Sequence, residues 1–221
     1  IEYATQKGMY VISDGKKNDI GPTMEAYSRG HLGKTMITEA VSAEAFSADA
    51  LTVNGYLGSD GINPLLEICN QEDKGIFVLV KTSNPSSGEL QDLVFENGRT
   101  VYEVLADMCI LWGEKLPGKY GYNGVGAVVG ATYPMQLDEL RKSNPSTFFL
   151  VPGYGAQGGG AEGVKHAFDK NGLGAVINSS RGIMCAWQKE KCDEKDFAQA
   201  ARREAIRMKD DLMSVINKIV I

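Results

Sequence analysis

The sequence predicts an α/β fold and, within that class, a (β/α)₈ TIM barrel with about six of its eight βα units present in the 221-residue chain. Three observations predict it. Short apolar, β-branched runs alternate with longer amphipathic stretches, as they do in successive βα units. Most of these runs are apolar throughout rather than alternating, the mark of strands covered on both faces. The two loops best suited to hold an anion follow the last two runs in order, where barrel enzymes often bind phosphate.

The predicted strands are Met9–Ser13, Ala50–Asn54, Ile76–Thr82, Val125–Ala131, Phe148–Val151 and Ala175–Asn178. Between and after them the spacing predicts helices over Thr23–Met36, Asn63–Asn70, Thr100–Trp112, Met135–Lys142, Ala161–Lys170 and Asp196–Ile219. In the last of these, Phe197, Ala200, Ala201, Ala205, Met208, Leu212, Val215 and Ile216 recur mostly three and four apart, so one face should pack on a core. Pro22, Pro64, Pro134 and Pro145 fall near the expected helix ends, where a missing N–H costs least. Ser83–Gly98 and Gly113–Gly124 are the longest irregular stretches. No linker or repeat divides the chain, and a single domain over residues 1–221 is expected.

Composition narrows the function. The chain is 43% hydrophobic and 23% charged, an ordinary globular balance, and has no apolar run long enough to span a membrane. A formal charge of −5 argues against an extended basic surface for nucleic acid, although one local cationic pocket could still hold a small anion. Cys69, Cys109, Cys185 and Cys192 form no C-x-x-C pair and look like reduced thiols, which predicts a cytoplasmic location. His31 and His166 lack companions at ligand spacing, so no metal site is expected. Asp210-Asp211 and the Lys189–Lys195 charge run look like solvated faces.

Four segments could carry chemistry. Asp14-Gly15-Lys16-Lys17-Asn18-Asp19 follows the first apolar run, and residues two apart on an extended chain share a face. Two carboxylates near Lys16 would favour its ammonium form and make it a proton donor. The same six residues also suit a polar turn with solvated charges. Val151–Gly160 is glycine-rich between a strand and a helix, so its backbone N–H groups could approach a phosphate, or it is a plain surface loop. Asn178-Ser179-Ser180-Arg181-Gly182 offers hydroxyls and a guanidinium fork at the last strand end. Lys81-Thr82-Ser83-Asn84-Pro85 could read the polar edge of a heterocycle or simply cap a turn.

Taken together, these segments resemble orotidine 5'-phosphate decarboxylases of a bacterial-type subgroup. Asp14-x-Lys16-x-x-Asp19-Ile20-Gly21-x-Thr23 is similar to the family's central signature. Lys81–Pro85, Val129-Gly130-Ala131-Thr132, Pro152–Gly159 and Ser180-Arg181 resemble its further segments in the right order, from about Met9 to Gly182. The resemblance implies cofactor-free decarboxylation of orotidine 5'-phosphate to UMP in pyrimidine biosynthesis, with Lys16 protonating the carbon that loses carbon dioxide. It implies that Asp14 lies near the substrate carboxylate and holds Lys16, and that Asp19 and Thr23 reach into a partner's site in a homodimer. Ser83 would read the pyrimidine, and Gln157 with Arg181 would bind the phosphate. The family also places an aspartate and a lysine after two earlier strands, so about two further βα units, on the order of 80 residues by typical barrel length, are expected upstream. Two other functions stay open: magnesium-dependent decarboxylation or aldol chemistry on sugar phosphates, as in related barrels with a similar D-x-K-x-x-D strand end, and nucleotide binding without turnover.

Overall fold

The computed structural model describes residues 1–155 and 158–216, which fall into two compact units. The first takes in Ile1–Lys81, Gly88–Val128 and Ser146–Phe148; the second takes in Thr82–Ser87, Val129–Pro145 and the described residues from Phe149 onward.

In the first unit α1 (Glu2–Gln6) leads to β1 (Ile12–Lys17), α2 (Gly21–Leu32) and an antiparallel hairpin of β2 (Lys34–Thr38) and β3 (Val41–Glu44). Then come β4 (Ala50–Val53), α3 (Ser59–Glu72), β5 (Gly75–Lys81), α4 (Gly88–Gln91), α5 (Val101–Gly113) and β6 (Val125–Val129). Strands β1, β4, β5 and β6 lie side by side in that order, with β1–β4 and β4–β5 parallel. All four residues of β4 are buried, as are all five of β6, in keeping with their unbroken apolar runs. Helix α3 buries Ile62, Leu65, Leu66, Ile68 and Cys69 at helical spacing, and a capping box at Thr100 and Glu103 starts α5.

The second unit contains α6 (Pro134–Ser143), β7 (Phe149–Pro152), α7 (Ala161–Val164), β8 (Ala175–Asn178), α8 (Ser180–Met184), α9 (Ala186–Glu190) and α10 (Phe197–Ile216). Strands β7 and β8 pair in parallel from Phe149↔Ala175 to Pro152↔Asn178. Beneath them Arg141 is buried. Its guanidinium donates to the carbonyls of Ala167 (2.9 Å), Asn144 (3.2 Å), Pro145 (3.3 Å) and Gly174 (3.0 Å), and it stacks on the Phe149 ring at 3.9 Å. Helix α10 buries Ala200, Met208 and Val215 on one face, as its periodicity predicts.

All six expected βα units are found, and β8 has the predicted bounds. Four local expectations are corrected. The first strand begins at Ile12, not Met9, because Met9 turns its N–H back to Ala4 and Met9 and Tyr10 are exposed. It then continues through Asp14–Lys17, since a register shift between Ser13 and Lys17 lets Lys17 pair with Val53. The helix expected to reach Met36 stops at Leu32, and the β-branched Thr35, Ile37 and Thr38 go into the hairpin instead. Pro64 lies inside α3, where the burial of the surrounding apolar residues outweighs its lost hydrogen bond. The helix expected over Ala161–Lys170 is one short turn, α7, followed by a 3₁₀ turn over Lys165–Ala167.

All four cysteines are free thiols. No helix among the described residues is long and apolar enough to cross a membrane.

Candidate active site

In the first unit the chemistry gathers at the carboxyl end of β1. Asp14 Oδ1 accepts from Lys16 Nζ at 2.6 Å and from the Thr52 hydroxyl at 2.8 Å. The same Thr52 oxygen accepts the Lys16 backbone N–H at 3.0 Å. Thr52 is buried in β4, so a fixed point of the neighbouring strand holds both ends of the Asp14–Lys16 pair. Lys16 sits at φ 47°, a left-handed conformation that costs a non-glycine residue on the order of 1–3 kcal/mol and collects at functional sites. The bulge and the two Thr52 bonds maintain it.

Burial works to raise the Asp14 pKa, but hydrogen bonds from Lys16 and Thr52 and the charge of Lys16 outweigh it, and the carboxyl is held below its usual range. Both side chains of the pair are more than half exposed, so the bond orients them and adds little stability. Asp19 lies past the end of β1, and among the described residues it forms no ion pair with Lys16. Its Oδ1 accepts the Ile20 N–H at 2.8 Å, at the entry to α2. Thr23 is exposed in the first turn of α2.

In the second unit a cleft of about 90 Å³ is lined by Pro152, Gly153, Tyr154, Asn178, Ser179, Ser180 and Arg181. It joins the end of β7 to the end of β8, whose register sets Pro152 beside Asn178. The exposed Arg181 forms one wall. The Ser179 hydroxyl donates to the Tyr154 carbonyl at 3.1 Å, and Ser180 donates to Asn178 Oδ1 at 3.2 Å. A Cβ at position 182 would collide with Ser179 Oγ, so this turn needs its glycine. Gln157 lies outside the described residues. Also in this unit, Ser83 packs against Gly130, and Thr82 donates to Asn84 Oδ1 at 2.6 Å.

Two participants escaped the sequence reading. Thr52 is a lone hydroxyl in the run Ala50-Leu51-Thr52-Val53, and a polar residue in a strand buried on both faces is itself the signal for a partner. Asp211, expected to be solvated, accepts the Tyr154 phenol O–H across 57 residues of sequence, which no local pattern shows. No group of three or more His, Cys, Asp or Glu side chains among the described residues is placed to hold a metal ion.

Comparison with known proteins gives the chain its relatives. The family model for the orotidine 5'-phosphate decarboxylase / HUMPS family matches residues 1–192. An orotidine 5'-phosphate decarboxylase of Rhodopirellula baltica is 47% identical over 216 residues, covering 96% of this chain and 70% of that protein. One from Caldicellulosiruptor bescii is 43% identical, covering 98% of this chain and 70% of its own. The solved Leishmania donovani OMP decarboxylase superposes with a TM-score of 0.71 at 32% identity, covering 96% of this chain and 69% of that one. The likeness shows the expected fold class, that of the (β/α)₈ barrels.

Proposed function

The chain belongs to the orotidine 5'-phosphate decarboxylase / HUMPS family, and from that membership we propose that it decarboxylates orotidine 5'-phosphate to UMP with Lys16 as the proton donor. The observation that carries the residue assignment is the Lys16–Asp14 pair, closed at 2.6 Å and tied to Thr52 at the carboxyl end of β1. Barrel enzymes place their reactive groups at that end of the strands.

As the bond to the carboxylate breaks, its electron pair stays on the ring carbon and carbon dioxide leaves. Lys16 Nζ then gives that carbon its proton, and the resulting amine is recharged from solvent, to which it is open. Asp14, kept ionised by its hydrogen bonds, aims Lys16 and lies beside the substrate carboxylate. Ser83 reads the pyrimidine edge. Gln157 and Arg181 take the phosphate, whose binding energy, spent far from the reacting carbon, orders the site for the transition state.

We further assign the enzyme as a homodimer in which Asp19 and Thr23 serve the partner's site. That assignment fits the exposure of Thr23 and the absence of an Asp19–Lys16 pair among the described residues. The reaction as written uses no cofactor.

The test follows the ultraviolet absorbance of orotidine 5'-phosphate on mixing with the protein, with and without a chelator. Loss of the substrate signal at a rate the chelator leaves unchanged is expected. Turnover abolished by the chelator and restored by magnesium would instead assign a metal-dependent sugar-phosphate chemistry, and UMP binding without turnover would leave a binding protein.

A further inference from the structure

Tyr154 is one of the residues that line the Arg181 cleft, and its phenol is bonded to a helix that does not line it. The residue is 3% exposed, and its phenol O–H donates to Asp211, in the second turn from the described end of α10. Its own carbonyl accepts the Ser179 hydroxyl at 3.1 Å. On either side the backbone turns through left-handed glycines, Gly153 at φ 98° and Gly155 at φ 76°. Glycines leave a segment conformationally free. The phenol of Tyr154 therefore ties this stretch of the cleft wall to α10, alongside the Ser179 bond from within the cleft, and its hydrogen bond has a charged acceptor, the stronger kind.

The anchor is built. Arg207 lies one helical turn before Asp211 and faces the same phenol, while its guanidinium is held by Glu204 at 2.6 and 2.8 Å. Burial, the Asp211 bond and the Asp211 charge together push the Tyr154 hydroxyl up to about 12, so it remains a donor at any physiological pH. Nothing in the proposed chemistry uses Asp211, Arg207 or the phenol, yet all three converge on the backbone that walls the anion cleft.

We propose that Tyr154 and Asp211 are positioning residues for phosphate binding: α10 holds the glycine-flanked cleft wall in place through the phenol–carboxylate bond, so that the Arg181 cleft is already formed when the nucleotide arrives. This rests on the assignment of that cleft to the substrate phosphate. Preorganisation of this kind acts on the ligand's phosphate and not on its base or sugar.

The experiment measures inhibition constants for UMP and for uridine, together with the melting midpoint, in the unaltered protein, Tyr154→Phe, Asp211→Ala and Asp211→Asn. Phe keeps the ring and removes only the donor; Asn keeps an acceptor without the charge. The expected result is that Tyr154→Phe and Asp211→Ala weaken UMP about tenfold, the lower end of what a charge-assisted hydrogen bond carries, while uridine changes less than twofold. Asp211→Asn should recover part of the loss. A parallel fall for UMP and uridine, or a lowered melting midpoint with both constants unchanged, would overturn the proposal by showing a merely structural tie. If the unaltered protein fails to bind UMP, the phosphate assignment itself falls, and this inference with it.

Discussion

Replacing Arg141 with Met should destabilise the protein by about 3–5 kcal/mol, because four carbonyls, most of them buried, lose their donor at once. The guanidinium is buried and donates to four carbonyls, three of those bonds fully out of water. A hydrogen bond to a charged group contributes about 1.5–3 kcal/mol, and a carbonyl left without its donor loses solvation it cannot regain. Met fills much of the volume and keeps contact with Phe149, which holds the loss below the simple sum of the four bonds. The consequence is directional, because Phe149 begins β7 and Gly174 immediately precedes β8, and the far ends of both strands carry the anion cleft. At roughly 2–4 °C per kcal/mol for a chain of this size, thermal melting should fall by about 6–20 °C, and urea unfolding should shift its midpoint at unchanged slope. A melting change of less than about 2 °C would refute the reasoning, since it would mean that the carbonyls find water or other donors at little cost.

Two further outcomes follow from the same packing. A Cβ at Gly130 would lie 2.9–3.0 Å from Ser83 Cβ, Cα and N, so Gly130→Ala should displace the Ser83 backbone and weaken both UMP and uridine, a pattern opposite to that of the Tyr154 variants; equal affinities would remove Ser83 from base recognition. The phenol of Tyr154, which is buried, is raised to about 12, chiefly by burial, so the folded state holds a proton that the unfolded chain releases near pH 10. Its contribution is complete below pH 10 and is lost as pH rises toward 12; a urea series across that window should show stability falling, and falling less in Tyr154→Phe.

How far the sequence could be read depended on the range of the interaction concerned. The six βα units were legible because an unbroken apolar run and a 3.6-residue period are local signals, and β8 lies where its run of β-branched residues puts it. The Asp14–Lys16 pair was legible for the same reason, two residues apart on extended chain. The hairpin of β2 and β3 was not, because its residues are exposed throughout and carry no burial pattern to separate strand from helix end. Thr52, bonded to Asp14 across 38 residues, and Asp211, bonded to Tyr154 across 57, depend on the register of β1 on β4 and on the placement of α10, which only the folded chain supplies. Asp19 lies past the end of β1, where the backbone turns into α2 and its Oδ1 accepts the Ile20 N–H, so the alternation that pairs Asp14 with Lys16 does not extend to it.

The assignment of Lys16 as the acid meets its most direct test in Lys16→Ala, assayed for loss of orotidine 5'-phosphate absorbance alongside UMP affinity. Turnover should fall by at least about 10²–10⁴-fold, the share a positioned proton donor supplies, with UMP binding within a few-fold of the unaltered protein. Turnover that survives the substitution unchanged would contradict the assignment.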